Sequence, residues 1–227
     1  MFLAMDTVFD QCSIAILDSN GTVISSQTET GKRMQTQQIL PMIDAALTET
    51  QLKLTDIRAL IFNRGPGAFS GIRINTAVVQ ALSVAHDIPC VGISSLQAIA
   101  QSAYEQYSVE QVYSALDARM QQVYFGQYTL VEGIMQPVFD KQNADTEQLL
   151  DYESQTSLNL AIAGNGAALL ALQDAQAIYE DITPDAAIIG QLGIAQFNVI
   201  GGTDAALALP KYLRNQAWKT LKEQGKA

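Results

Sequence analysis

Two aspartates, each five residues ahead of a glutamine, carry the first hint of chemistry. Ala4-Met5-Asp6 opens the run AMDTVFDQCSIAI, and Ala115-Leu116-Asp117 opens ALDARMQQVYFGQ. In both, Ala-x-Asp closes one apolar strand-like run, and the glutamine (Gln11, Gln122) opens the next. Carboxylates facing one another across a cleft would organise Mg²⁺ and water around a nucleotide. The plainer alternative is that each aspartate caps the turn after its strand.

Two glycine-containing loops bear on that choice. NRGPGAFSGIRI, Asn63–Ile74, follows an apolar run and precedes a long helical pattern. It lacks the lysine of a Walker loop, and Gly67 to Gly71 is one residue too long for the dinucleotide fingerprint. Its glycines fit a tight strand-to-helix turn and a close helix start better than a phosphate grip. AGNGA, Ala163–Ala167, is either an ordinary turn or a place where a nucleotide approaches a helix N-terminus. Asp6, Thr7, Asp117, Gly164 and Gly166 therefore form the candidate set for a weak nucleotide cleft. Phe9 and Asp10 would crowd and repel a phosphate in the first loop, which disfavours efficient catalysis. A single histidine, His86, and two cysteines, Cys12 and Cys90, assemble neither a metal set nor a nucleophile triad. No cofactor is expected.

The elements that would position these residues repeat. Residues 1–7, 11–17 and 22–29 read as strands, with Asn20-Gly21 as a hairpin turn. A helix follows with Ile39, Ile43, Ala46 and Leu47 on one face, beginning near Gln37 or kinked at Pro41. Then come a strand over 57–63, a helix from the glycine loop to about His86, a strand over 88–94 and a helix over 95–107. The second half reads as three strands between 111 and 140, a short helix near Thr146–Asp151 and a strand over 158–164. A helix from Asn165 and another over Asp185–Asn198 complete it. A meander followed by alternating helix and strand, occurring twice, predicts a duplicated α/β fold with mixed sheets. The halves would be residues 1–108 and 109–227.

The glycine-loop helix is apolar in nearly every direction, so it is either covered all round or seated on a partner. Ala77, Ala81 and Ala85 make a small-residue stripe at four-residue spacing. Net charge is −10, divided as −2 over residues 1–100, −12 over 101–210 and +4 over 211–227. So acidic a body repels nucleic-acid phosphates, leaving only the basic tail, more often a solvated terminal helix, as an RNA contact. No apolar run is long enough to span a membrane, and no signal peptide is visible, so a cytoplasmic protein with reduced thiols is expected.

RGPGAFSGIRI, with LAMDTVFDQCSIAI, QQILPMI, VGISSLQAIA, ALDARMQQVYFGQY and LPKYLRNQAW, resembles the bacterial TsaB (YeaZ) family from Phe2 to about Lys219. The resemblance implies a duplicated ribonuclease H-like (actin-like ATPase, ASKHA) fold. It also implies a role in making N6-threonylcarbamoyladenosine at position 37 of tRNAs that read ANN codons. The transferase would be the related TsaD, bound as a heterodimer, with the ATPase TsaE joining and tRNA reached through the complex. TsaD carries a metal-binding His-x-x-x-His, and Ser95 and Ile99 occupy the matching positions here, which implies a non-catalytic partner. The expected interface comprises Ile39, Ile43, Leu47, Ile72, Ala77, Ala81 and Ala85, covered by homodimerisation when the chain is alone. The competing readings are a weak ATPase or kinase using Asp6 and Asp117, and an autonomous RNA binder using the tail.

Overall fold

The computed structural model describes residues 1–31, 34–139, 146–156, 158–172 and 177–214. The strands are β1 (Phe2–Asp6), β2 (Gln11–Leu17), β3 (Val23–Thr30), β4 (Ala59–Gly65), β5 (Cys90–Ser94), β6 (Gln111–Arg119) and β7 (Gln122–Val131). They continue with β8 (Ile134–Pro137), β9 (Glu147–Asp151), β10 (Gln155–Thr156), β11 (Ala161–Ala163), β12 (Ala171–Leu172) and β13 (Ile178–Tyr179). The helices are α1 (Met34–Glu49), α2 (Phe69–His86), α3 (Ser95–Tyr107) and α4 (Ala186–Ile200). Among the described residues, no helix is long and apolar enough to cross a membrane.

The same sheet is built twice. The first runs β3-β2-β1-β4-β5 and the second β8-β7-β6-β11-β13. In each, three antiparallel strands of a meander are joined by two parallel strands. β1 and β2 are buried along their whole lengths. That accounts for their apolar runs, since both faces of the sheet are covered. Leu3, Met5, Ile14, Leu60 and Phe62 meet α1 and α2 on one side. Phe2, Ala4, Ala15, Leu17 and Ile61 meet α4 on the other.

The helices exchange halves. α3 follows the first sheet in sequence, yet packs Leu96, Ile99 and Ala103 among residues of the second. α4 follows the second sheet, yet covers the first. Gly190 and Gly193 permit that seating, because a Cβ at either would overlap Leu17 or Ile61. Asp185 starts α4 by accepting the backbone N–H groups of Ala187 and Ile188, an N-cap that satisfies two otherwise unpaired donors.

Several elements differ from the sequence reading. Thr146–Asp151 is no helix; Glu147–Asp151 is β9, paired antiparallel with Gln122–Gly126 of β7. The local pattern is too short to specify a period, and pairing with a distant strand decides it. The helix from Asn165 is reduced to one 3₁₀ turn, Ala167–Leu169, leading into β12. α1 begins at Met34 and carries Pro41 inside it. α2 is not covered all round. Gly71, Ile72, Asn75, Thr76, Val79 and Ser83 are buried, while Ala77, Ala81, Val84 and Ala85 are exposed. The terminal helix expected over PKYLRNQAWKTLK is not formed at residues 210–214, which are irregular, and its remainder lies outside the described residues.

α2 lies so close to the first hairpin that Gly71 has no room for a side chain. A Cβ there would overlap the carbonyl oxygen of Thr7, a backbone atom held in the β1–β2 connection. Gly71→Ala is expected to lower unfolding free energy by about 1–3 kcal/mol, read from urea denaturation; an unchanged midpoint would show that the helix start shifts freely.

Candidate functional site

Asp6 ends β1 with no exposed surface. Its carboxylate accepts the Val8 N–H at 3.1 Å, Asn63 Nδ2 at 2.8 Å and Gln11 Nε2 at 3.1 Å. Gln11 Nε2 also donates to the Pro184 carbonyl at 2.7 Å. Asn63 Oδ1 in turn accepts the Gly65 N–H at 2.9 Å and Ser95 Oγ at 2.7 Å. Asn75 on α2 donates to the carbonyls of Met5 and Asn63. Burial pushes the Asp6 carboxyl up from 3.8 to about 6, against the pull of its hydrogen bonds to Gln11, Val8 and Asn63.

This corrects the expectation for Asp6. It does not face Asp117 across an opening but is sealed in a polar lattice beneath the glycine loop. Asp117, at the end of β6, does line a cleft of about 870 Å³. It accepts the Arg119 N–H at 2.7 Å and Tyr152 OH at 2.8 Å, and pairs with the Arg119 guanidinium at 2.9 Å. Both aspartates thus take the N–H two residues on and cap the turn after their strand.

The remaining members of the nucleotide set are engaged elsewhere. Thr7 Oγ1 donates to the Gly71 carbonyl at 2.7 Å. Gly164 N–H donates to Tyr179 O, Gly166 N–H to Ala115 O and Ala167 N–H to Gly164 O. A Cβ at Gly164 or Gly166 would strike the backbone of residues 115–117. These glycines let two chain segments touch, and their amides are not free to grip an anion. Asp117 alone of the five lines the cleft; Asn165, Phe9 and Asp10 do so as well.

At the positions matching the metal motif, Ser95 is buried and bonded to Asn63, and Ile99 is core. Among the described residues, no three His, Cys, Asp or Glu side chains are placed to hold a metal. Cys12 and Cys90 are buried free thiols, and burial pushes Cys12 up to about 12. His86 is exposed at the end of α2.

The expected interface also needs revision. Ile39, Ile43 and Ile72 are 2%, 4% and 1% exposed, and belong to the chain's own core. Leu47 is half-buried, while Ala77, Ala81 and Ala85 are exposed. An all-round apolar pattern does not reveal which face the sheet takes.

Sequence reasoning missed the segment that crosses the cleft. Lys211 N–H donates to the Arg64 carbonyl at 2.8 Å, and its ammonium pairs with Glu147 at 3.0 Å. Glu147 is buried and also receives the hydroxyls of Ser94 and Tyr128. Tyr212 OH accepts Arg73 Nε at 3.1 Å, and Arg214 bonds to Arg119 O and Gln122 Oε1 at 3.1 and 2.7 Å. Residues 211–214 thereby tie the glycine loop and α2 to the second sheet. Their basic-aromatic composition was the only signal.

Two copies of one five-strand order, meeting at a cleft, define a duplicated ribonuclease H-like (actin-like) protein. Residues 21–222 match the family model described as "TsaD: tRNA N6-adenosine threonylcarbamoyltransferase". The chain is 34% identical to YeaZ from Pseudomonas aeruginosa, whose solved structure superposes with a TM-score of 0.84, covering 93% of this chain and 99% of that one. It is 44% identical over 126 residues to the "tRNA threonylcarbamoyladenosine biosynthesis protein TsaB" of Haemophilus influenzae, covering 55% of this chain and 52% of that protein. With the protein of the same name from Escherichia coli it shares 41% over 126 residues, 56% of this chain and 54% of that protein. The aligned stretch thus spans about half the length of these curated relatives. The chain belongs to the TsaB (YeaZ) family.

Asp6 makes a pH test available. The folded protein holds this proton more tightly than the unfolded chain, so the stabilisation is full below about pH 3.8 and is lost as pH rises through about 6. The shift corresponds to roughly 3 kcal/mol. Unfolding free energies of the unchanged chain and Asp6→Asn, measured from about pH 4 to pH 7, should diverge with pH, the unchanged chain losing ground; a constant difference would mean that Asp6 titrates normally.

Proposed function

We propose that this chain is a non-catalytic partner in the formation of N6-threonylcarbamoyladenosine on tRNA, acting in the cytoplasm through a TsaD-type transferase. The relatives carry that pathway in their names. The observation that carries the non-catalytic part is how the candidate site is used. Asp6, Thr7, Gly164 and Gly166 are all committed to holding the chain's own backbone and side chains. In the AGNGA turn the amides of Gly164, Gly166 and Ala167 are each donated to carbonyls of the chain itself.

The partner reading rests on α2. Ala77, Ala81 and Ala85 lie on its exposed side with Val84, which is 77% exposed, and Leu40 of α1 is 57% exposed. Small side chains let a second helix approach closely, and a broad apolar face in water favours being covered. A TsaD helix pair is the proposed occupant, TsaE and tRNA engage the resulting complex, and a second copy of the chain covers the face when TsaD is absent.

Ala81→Trp tests this without disturbing the core. Because Ala81 is exposed, its substitution should change the chain's own stability by no more than about 0.5 kcal/mol. It should weaken TsaD binding by roughly fivefold or more, as overpacking of about 1–3 kcal/mol requires. Calorimetric titration with TsaD reads the affinity, and reconstituted tRNA modification with and without the chain reads the role. Unchanged TsaD affinity would remove the interface, and full modification without the chain would remove the function.

A further inference from the structure

A second cavity, of about 560 Å³, shares no lining residue with the cleft. Four elements frame it: the turn at residues 19–21, α3, the turn into β8 at Gly133 and Ile134, and α4. Its size falls within the range of small-ligand sites, about 300–1,000 Å³. The walls are anchored. Gln101 of α3 takes the Met135 N–H on Oε1 at 2.8 Å and gives Nε2 to the Gly133 carbonyl at 3.1 Å. One turn earlier, Gln97 Nε2 donates to the Met135 carbonyl at 2.8 Å. The turn at residues 19–21 is held by Asp18, which accepts the N–H groups of Asn20 and Thr22.

The chemistry of the lining is one-sided. Glu105 is its one charged side chain among the described residues, and no described cation stands within ion-pair distance of it. Its Oε1 accepts Gln101 Nε2 at 3.3 Å. Loss of surrounding water raises the Glu105 carboxyl above the ordinary carboxylate range, against the pull of Gln101, and the charge of Asp185 adds to the rise. The amide side chains of Asn20, Gln191 and Asn198 also line the space and carry no described hydrogen bond. Their carbonyl oxygens can accept an N–H. Tyr104, Ile134 and Ile194 supply aromatic and aliphatic surface between these polar groups.

That combination selects among cations. A divalent metal ion wants several hard oxygen ligands, and among the described residues no three acidic, His or Cys side chains come together. A guanidinium fork wants both carboxylate oxygens, and Gln101 already holds one. An ammonium group is satisfied by one carboxylate oxygen and neutral acceptors. We propose that this cavity binds a small aliphatic diamine, with one ammonium on Glu105, its methylene chain against Tyr104, Ile134 and Ile194, and its other ammonium among the amide oxygens of Asn20, Gln191 and Asn198. The site binds without chemistry. It includes no residue of the exposed α2 face and is tested on the chain alone, so its failure leaves the partner reading intact.

Calorimetric titration of the full chain at about pH 7 and low salt makes the test, with 1,4-diaminobutane, butane-1,4-diol, ammonium chloride and magnesium chloride as probes. The diamine should bind, and the diol and ammonium should each bind at least about tenfold more weakly. Magnesium at the diamine's own concentration should lower diamine affinity by no more than about twofold. Glu105→Gln should reduce diamine affinity at least about tenfold and Gln191→Ala severalfold. Asp44→Asn, which removes an exposed carboxylate on α1 outside the cavity, should leave it unchanged. Circular dichroism melts establish that each variant folds; if Glu105→Gln does not, Gln191→Ala and Asn198→Ala carry the comparison. The proposal is overturned by no diamine binding up to about 10 mM, by the diol or ammonium matching the diamine, or by magnesium displacing it. Folded cavity variants that bind like the unchanged chain, or an Asp44→Asn loss equal to that of Glu105→Gln, would overturn it as well.

Discussion

A carboxylate shut away from water has to be met by donors, and Asp6 makes that demand at the centre of the molecule. Val8 answers from the turn, Gln11 from β2 and Asn63 from β4. Asn63 then holds Gly65 and Ser95, and Asn75 fastens α2 to the carbonyls of Met5 and Asn63. Segments far apart in sequence are joined by one set of bonds in which each loss strands another group. The direction in which the glycine loop leaves the sheet follows from this lattice, and so does the roll of α2. That roll turns Ile72 and Val79 inward and leaves Ala77, Ala81 and Ala85 facing out.

The cleft beside this lattice is organised by side chains rather than by backbone. Gly164 and Gly166 serve the close approach of the β11 turn to residues 115–117. What remains at the wall is a mixture of rings, apolar groups and charges. Some of those charges are neutralised internally, as in the pairing of Lys211 with the buried Glu147. That pair also receives two hydroxyls, and the buried Tyr128 hydroxyl is driven well above its ordinary range by burial and the adjacent carboxylate. The ammonium that pairs with the buried Glu147 thus arrives from the far end of the described chain.

Much of the architecture could be read from residue pattern. Both meanders, α2 and α3 stand in the sequence because buried strands demand continuous apolar runs and because turns such as Asn20-Gly21 are set locally. There, Asp18 accepts the N–H groups of Asn20 and Thr22, and Gly21 takes a positive φ of 82°. β9 was not legible, since EQLLD becomes a strand only by pairing with β7. Nor was the inward direction of Ile39, Ile43 and Ile72, because a helix apolar on several sides gives no clue to which side the sheet will take. For Asp6 the residue type was informative and its surroundings were not: three donors from separate segments converge only in the fold. Arg73 lies more than a hundred residues from Tyr212 and Arg214, and the three leave no joint mark on the sequence.

The exchange of α3 and α4 between the sheets has a consequence for how the chain comes into being. The first five strands leave the ribosome long before α4 is made, and until then Phe2, Ala4, Ala15, Leu17 and Ile61 lack the helix that packs on them. A chain cut near Ser108 would keep a bare oily sheet in one piece and strip α3 of its natural seat from the other. Synthesis therefore passes through an interval in which that face of the first sheet lacks α4, and it closes when residues 186–200 emerge and dock.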